Sequence, residues 1–270
     1  MFGFFQNRRR QKLLAEPFPE WWDALLRRNV AHYAMLSPAE LVKLRDTLRV
    51  LVAEKTWEGR GGLHMTDEIK ITVAAGIALI LLGIEHDYFS RVDSILVYPG
   101  AFQTPNEEDD WEDDFISEQV IEGQAVYRGP VILGWKQVLD ESRDPSYGAN
   151  VVIHEFAHQL DFLDGAIDGT PPLPTKADEA RWEQVMTAAY KEHVGLLDQR
   201  RNTYFTEHAG ESESEFFADA SEAFFCDPRG LAEEVPEVYE LLMAYYRIDP
   251  RTWAWPESAA ISEWRGSPEE

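Results

Sequence analysis

Apolar positions recur at helical spacing early in the chain. Leu41, Leu44, Leu48 and Leu51 fall three or four residues apart, the repeat that turns one face of a helix toward a core. Ser37-Pro38-Ala39-Glu40 stands just before them. A Ser followed by Glu at the third position on is a capping box, and Pro suits the first helical position. The run from Ile71 to Ile84, closed by Lys70 and Glu85, is almost wholly apolar. A bilayer takes about 20 such residues, so the run predicts a buried helix, with Thr66 as its cap. Between the two helices, Gly59-Arg60-Gly61-Gly62 follows no strand-like run, and a phosphate-cradling loop is not expected there.

The pattern then changes. Ile95-Leu96-Val97-Tyr98 stops at Pro99-Gly100, and Val131-Ile132-Leu133-Gly134-Trp135 follows Gly129-Pro130. Both read as strands. The acidic run Glu107 to Asp114 between them reads as a solvated loop, because it lacks the spacing and the Gly of a calcium loop. From about residue 150 the chain is helical again, with Asp164-Gly165, Asp168-Gly169 and Pro171-Pro172 marking a loop. Strands set between helical blocks predict an α+β fold. The expected organisation is one unit over 15–255, with a helical part (15–90) and a part carrying a small sheet and a mostly helical second half (91–255). Tails 1–14 and 256–270 flank it.

Composition narrows the function classes. The chain has 270 residues, 44% of them apolar, enough to bury a large core. Its formal charge is −24, which repels phosphate backbones. Arg8-Arg9-Arg10 with Lys12 is the only dense basic stretch, so no nucleic-acid partner is expected. Cys226 is the single cysteine. It rules out an internal disulfide and, beside Phe224-Phe225, reads as a small buried hydrophobe. At the N-terminus Met1-Phe2-Gly3-Phe4-Phe5 precedes the arginines, the reverse of a secretory signal. As an anchor this segment is too short to hold a membrane. A cytoplasmic location without a membrane partner is the expectation.

The candidate chemistry sits at 150–163. Asn150 is a helix cap, and Val151, Val152, Ile153, Phe156, Ala157 and Leu160 supply an apolar, helix-length stretch. His154 and His158 lie one turn apart on one face, where two imidazoles can reach one zinc ion. Glu155, next to the first of them, is placed to take a proton from a zinc-activated water. A catalytic zinc needs a third protein ligand and an open position. Asp164 stands where the metzincin pattern has its third ligand, though that pattern has Gly where this chain has Asp161. Glu215 is the other candidate, on a helix capped by Ser212 or Ser214. Phe216, Phe217, Ala220 and Phe224 share one face of that helix, and Glu215, Asp219 and Glu222 share the opposite one. Taken alone, the acidic stripe reads as a solvated face. Asp161, Asp219 or Glu222 could also orient a ligating imidazole.

The stretches 151–161 and 214–225 together resemble the Mlc titration factor A family of zinc peptidases. Ile95 to Pro99, Trp111-Glu112-Asp113 and Gly129 to Trp135 are similar to it as well, so the likeness spans about 15–250. It implies a gluzincin-like, zincin-type fold, distantly similar to the catalytic domain of anthrax lethal factor. It implies zinc (Zn2+) held by His154, His158 and Glu215, with Glu155 as acid/base and aminopeptidase-type activity on a peptide or protein substrate. Family members usually carry a Tyr seven residues before the third ligand, where it helps stabilise the oxyanion. This chain has His208 there, with Tyr204 four residues earlier; either can donate that hydrogen bond. Val131 to Trp135 is the candidate edge strand for pairing with substrate. The family name also implies a transcriptional repressor as a partner, so a regulator-sequestering zinc protein is the competing function.

Overall fold

The computed structural model describes residues 2–100 and 129–256. The acidic run at 107–114, Trp111 to Asp113, and 257–270 of the expected C-terminal tail lie outside the described residues.

Helices α1 (Phe2–Ala15), α2 (Glu20–Asn29), α3 (Ala31–Met35) and α4 (Pro38–Glu54) open the chain. The stretch expected as an N-terminal tail is therefore largely helical, and Arg10 of α1 pairs with Glu54 of α4 at 2.6 Å. The capping box on α4 is formed: Ser37 Oγ accepts from the Glu40 amide, and the Glu40 carboxylate accepts from the Ser37 amide. Thr66 caps α5 (Asp67–Ile80) by accepting from the Ile69 amide. Every residue of α5 from Ile71 on is buried, as its unbroken apolar run requires.

The small sheet has three parallel strands in the order β1 (Thr56–Gly59), β2 (Ser94–Tyr98), β3 (Val131–Gly134). Ile95 pairs with Trp57 on one side and Val131 on the other. Parallel neighbours need a crossover, and α5 supplies the one between β1 and β2. Two readings of the sequence change here. The glycines at 59–62 do follow a strand. Thr-Trp-Glu-Gly was too short and too polar to show it, and its pairing to β2 is what makes it one. Trp135 begins helix α6 (Trp135–Arg143) instead of ending β3. β1 and β3 are the outer strands among the described residues.

Helices α7 (Val151–Asp161), α8 (Lys176–Asp198), α9 (Glu213–Cys226), α10 (Pro228–Glu234) and α11 (Pro236–Tyr246) complete the molecule. One hydrophobic cluster runs from Leu25 to Trp253. Gly76 of α5 faces Val152 of α7, and a Cβ there would lie 2.8 Å from Val152 Cγ1. Glycine thus lets α5, the buried helix, cross α7 closely and set its position. Helix α9 is buried on nearly all sides, Cys226 included. None of the described helices is long and apolar enough to cross a membrane.

His32 of α3 ties the two ends of the described chain together. Its Nε2–H donates to the Phe225 carbonyl at 3.0 Å, and its ring meets Trp253 and Trp255 edge-on. Burial lowers its pKa to about 4, against a smaller opposing pull from the Phe225 carbonyl. Between pH 6.5 and 4 the unfolded chain binds a proton at this site that the folded chain refuses, so stability falls as pH falls through that window. The expected loss from this group is at most about 3 kcal/mol. The stability lead of the wild type over His32→Gln should therefore shrink from pH 7 to pH 5, as read by chemical denaturation at each pH.

Candidate metal centre

Helix α7 is fixed before its functional side chains are considered. Asn150 Oδ1 accepts from the Ile153 amide, and the Glu141 carboxylate accepts from the Val151 amide at 2.6 Å. Val152, Ile153, Phe156, Ala157 and Leu160 are buried, which leaves His154 and His158 on the remaining face. Helix α9 packs directly on α7. Ser212 Oγ caps it by accepting from the Glu215 amide at 3.1 Å. The cap therefore starts the helix at the turn that aims Glu215 at the imidazoles.

Three donor atoms converge. His154 Nε2 lies 3.0 Å from Glu215 Oε2, His158 Nε2 lies 3.3 Å from the same oxygen, and the two Nε2 atoms are 3.3 Å apart. Among the described residues, His154, His158 and Glu215 form the one group of metal-binding type whose donors come this close. Tetrahedral zinc with bonds of about 2.0–2.1 Å separates its ligand atoms by about 3.3–3.4 Å, so the donor set and its spacing fit such an ion.

The far nitrogens fix the tautomers. His158 Nδ1 lies 3.0 Å from Ser214 Oγ, and the Ser214 hydroxyl donates to Asp161 Oδ2 at 2.8 Å. Its one proton is then spent on Asp161, so Ser214 accepts from His158 Nδ1–H. In the neutral ring that leaves the Nε2 lone pair facing the site. Asp161 is itself pinned by the Gly169 and Thr170 amides at 3.0 and 2.9 Å. Gly169 makes that approach at φ 74°, where a Cβ would sit 2.3 Å from the Glu213 carbonyl. On the other ligand, His154 Nδ1 faces Glu222 Oε2 at 3.7 Å, while Glu222 Oε1 accepts from the Asn150 amide at 2.9 Å.

The acidic stripe of α9 is not a solvated face. Asp219 and Glu222 are 2% and 6% exposed. Glu222 lies against His154, whereas Asp219 accepts from the Thr206 amide and holds the loop before α9. Asp161 acts on His158 through Ser214, not directly. Sequence reading saw Ser214 only as a possible cap and did not single out Glu141. The faint signal for Ser214 was a hydroxyl one residue before Glu215.

His208 and Tyr204 part company. His208 lies on a short 3-10 turn, His208–Gly210. Its Nε2 is 3.0 Å from Glu215 Oε2, its Nδ1 is 2.9 Å from Glu211, and its ring stacks on His154. It is half exposed, at the mouth of the cluster. The Tyr204 hydroxyl donates to Asp227 at 2.9 Å. Asp227 caps the opposite end of α9 from Glu215, about 18 Å along the axis. Tyr204 is therefore not brought to the imidazoles. Asp164 is not either: it is exposed and accepts from the Ala166 amide.

Among the described residues, Glu155 feels the charges of His154, His158, Glu215 and Glu222. Burial raises its pKa, and the two histidines only partly oppose this. Burial would lift Glu215 as well, but hydrogen bonds from His154 and His158 overcome it and hold that carboxyl well below the usual range. For His154, burial disfavours the cation, yet Glu215 and Glu222 outweigh it and raise the ring well above its ordinary value. Carboxyl groups around two imidazoles make a negative recess that suits a divalent cation.

The model of one family, Glucose-regulated metallo-peptidase M90, matches residues 4–247. The chain belongs to the M90 metallopeptidase family. Its M90 match covers every element from α2 to α11. An uncharacterized Synechocystis protein is 31% identical over 246 residues, 90% of this chain and 89% of its own. The Mlc titration factor A of Serratia proteamaculans is 32% identical over 243 residues, 87% of this chain and 89% of its own. The Mlc titration factor A of Yersinia pestis is 31% identical over 259 residues, 91% of each chain. The likeness on α7 and α9 noted from the sequence is thus a family relationship, and membership implies a bound metal ion.

Proposed function

We propose that this chain is a zinc peptidase of aminopeptidase type, in which His154, His158 and Glu215 hold the ion and Glu155 moves the proton. The observation that carries this reading is the spacing of 3.0–3.3 Å among the three donor atoms, two from α7 and one from α9. Zinc bound there supplies Lewis acidity: it brings the pKa of water to about 7 and polarises a carbonyl. Glu155, unattached to the scaffold, takes the proton from the attacking water and delivers it to the leaving amine. Ser214 and Glu222 keep both Nε2 lone pairs turned inward. His208, at the mouth, donates to the oxyanion.

The decisive measurement is metal content together with hydrolysis of a chromogenic aminoacyl substrate, unblocked and N-acetylated, with and without chelator. About one zinc per chain and chelator-sensitive cleavage of the unblocked substrate are expected. The name Mlc titration factor A, carried by relatives, favours a second reading: a protein that sequesters a transcriptional regulator through binding alone. Tight zinc without cleavage of any peptide would favour it.

His208 and Tyr204 give a separate prediction. His208→Ala should lower kcat about 10²-fold, the lower range for removing one oxyanion donor, with KM little changed. Tyr204→Phe should leave kcat within about twofold, since its hydroxyl serves Asp227. Steady-state kinetics of both variants decides the assignment; equal losses would reverse it.

A further inference from the structure

A cavity of about 780 Å³ opens beyond the C-terminal end of α7, apart from the imidazole pair. Its walls come from the segment after α5, the end of α7, α8, the 172–174 segment and α11. The floor is apolar, built from Leu81, Leu160, Leu173, Leu241 and Trp182. Such a volume is in the range of about 300–1,000 Å³ typical of ligand sites. Tyr245 also lines it. Its hydroxyl has no hydrogen-bond partner among the described residues, although a Tyr hydroxyl in an apolar wall ordinarily finds one.

The rim carries both signs of charge. Arg91 donates to the Leu163 carbonyl, Asp87 accepts from Ser90, and Asp178 accepts from Thr175, so these three are already engaged. Arg181, Arg247, Glu85 and Glu240 are exposed on the same rim, and none of their side chains makes an ion pair with a described residue. Two residues lining the cavity, Phe89 and Arg247, hold left-handed backbone at φ 50° and 55°. Such conformations cost about 1–3 kcal/mol at non-glycine residues and gather at ligand sites.

We propose that this cavity is a second ligand site, separate from the metal centre, that takes a short peptide with apolar side chains and charge of both signs. Its apolar side chains would cover Leu160, Leu173, Leu241 and Trp182. Tyr245 would donate to a backbone carbonyl. A carboxylate would meet Arg181 and Arg247, and an ammonium would meet Glu85 and Glu240. At this volume the segment is about three residues long. Occupancy is read by binding alone, so this site stands or falls independently of the zinc-peptidase reading.

The test uses the full chain carrying Glu155→Gln, titrated calorimetrically with the tripeptide Leu-Phe-Leu, and with the same peptide acetylated and amidated. Arg181→Glu and Arg247→Gly are then added singly. Both sites are exposed, and glycine keeps the left-handed turn at 247 while removing the guanidinium. The free peptide should bind, each variant should weaken it at least tenfold, and blocking both ends should do the same. In the otherwise wild-type chain both variants should leave cleavage of the chromogenic substrate unchanged. Absence of binding at millimolar peptide, equal affinity in both variants, or equal affinity of the blocked peptide would each overturn the proposal.

Discussion

Glu155→Gln should retain a full complement of zinc and lose peptide hydrolysis by about 10²–10⁴-fold, the contribution of a positioned general acid/base. Gln has the same shape but does not take up a proton at neutral pH. Among the described residues the Glu155 carboxylate has charged neighbours and no hydrogen-bond partner, so the change breaks no described hydrogen bond. The His154, His158 and Glu215 cluster therefore stays as it is. Metal analysis beside a progress curve separates the two effects. Full zinc with wild-type turnover would remove Glu155 from the mechanism.

Glu215→Ala should do the opposite and strip the ion. It deletes one of three donor atoms and leaves two imidazoles on a single helical turn. Removing an outer hydrogen-bond partner of a ligand costs about 10–100-fold in affinity, and losing a ligand itself should exceed that. A competition titration with a chromophoric chelator measures the loss. A second readout follows from mass action: an ion that binds only the folded chain raises Tm, so the zinc-dependent rise in Tm should vanish in this variant. Persistence of tight zinc would mean that Glu215 is not the third ligand.

How much of this was legible beforehand depends on whether a feature is local. The capping box at Ser37, the caps at Thr66 and Asn150, and the buried run of α5 are short-range patterns, and each is formed as the sequence spells it. The His154/His158 pair is of the same kind, since helical spacing alone puts both rings on one face. β1 was missed because Thr-Trp-Glu-Gly is a strand only by virtue of its pairing to Ser94–Val97, a contact far away in sequence. The burial of Asp219 and Glu222 was missed for a related reason. A stripe of acids on a helix looks solvated until the partners that satisfy it are known, here Asn150, His154 and the Thr206 amide. Tyr204 and His208 were interchangeable by sequence because both precede α9. The short turn at His208–Gly210 separates them, directing one ring to Glu215 and leaving the other hydroxyl to Asp227.

Helix α9 carries Glu215 and is surrounded by packed side chains along almost its whole length. Its position is therefore set by the interior of the molecule, and the ion has no part in building the recess it would occupy. Such a site is preorganised: little chain entropy is left to lose when a cation arrives, so affinity is not diminished by a folding step. This is the reverse of a zinc finger, whose chain is disordered until the metal comes.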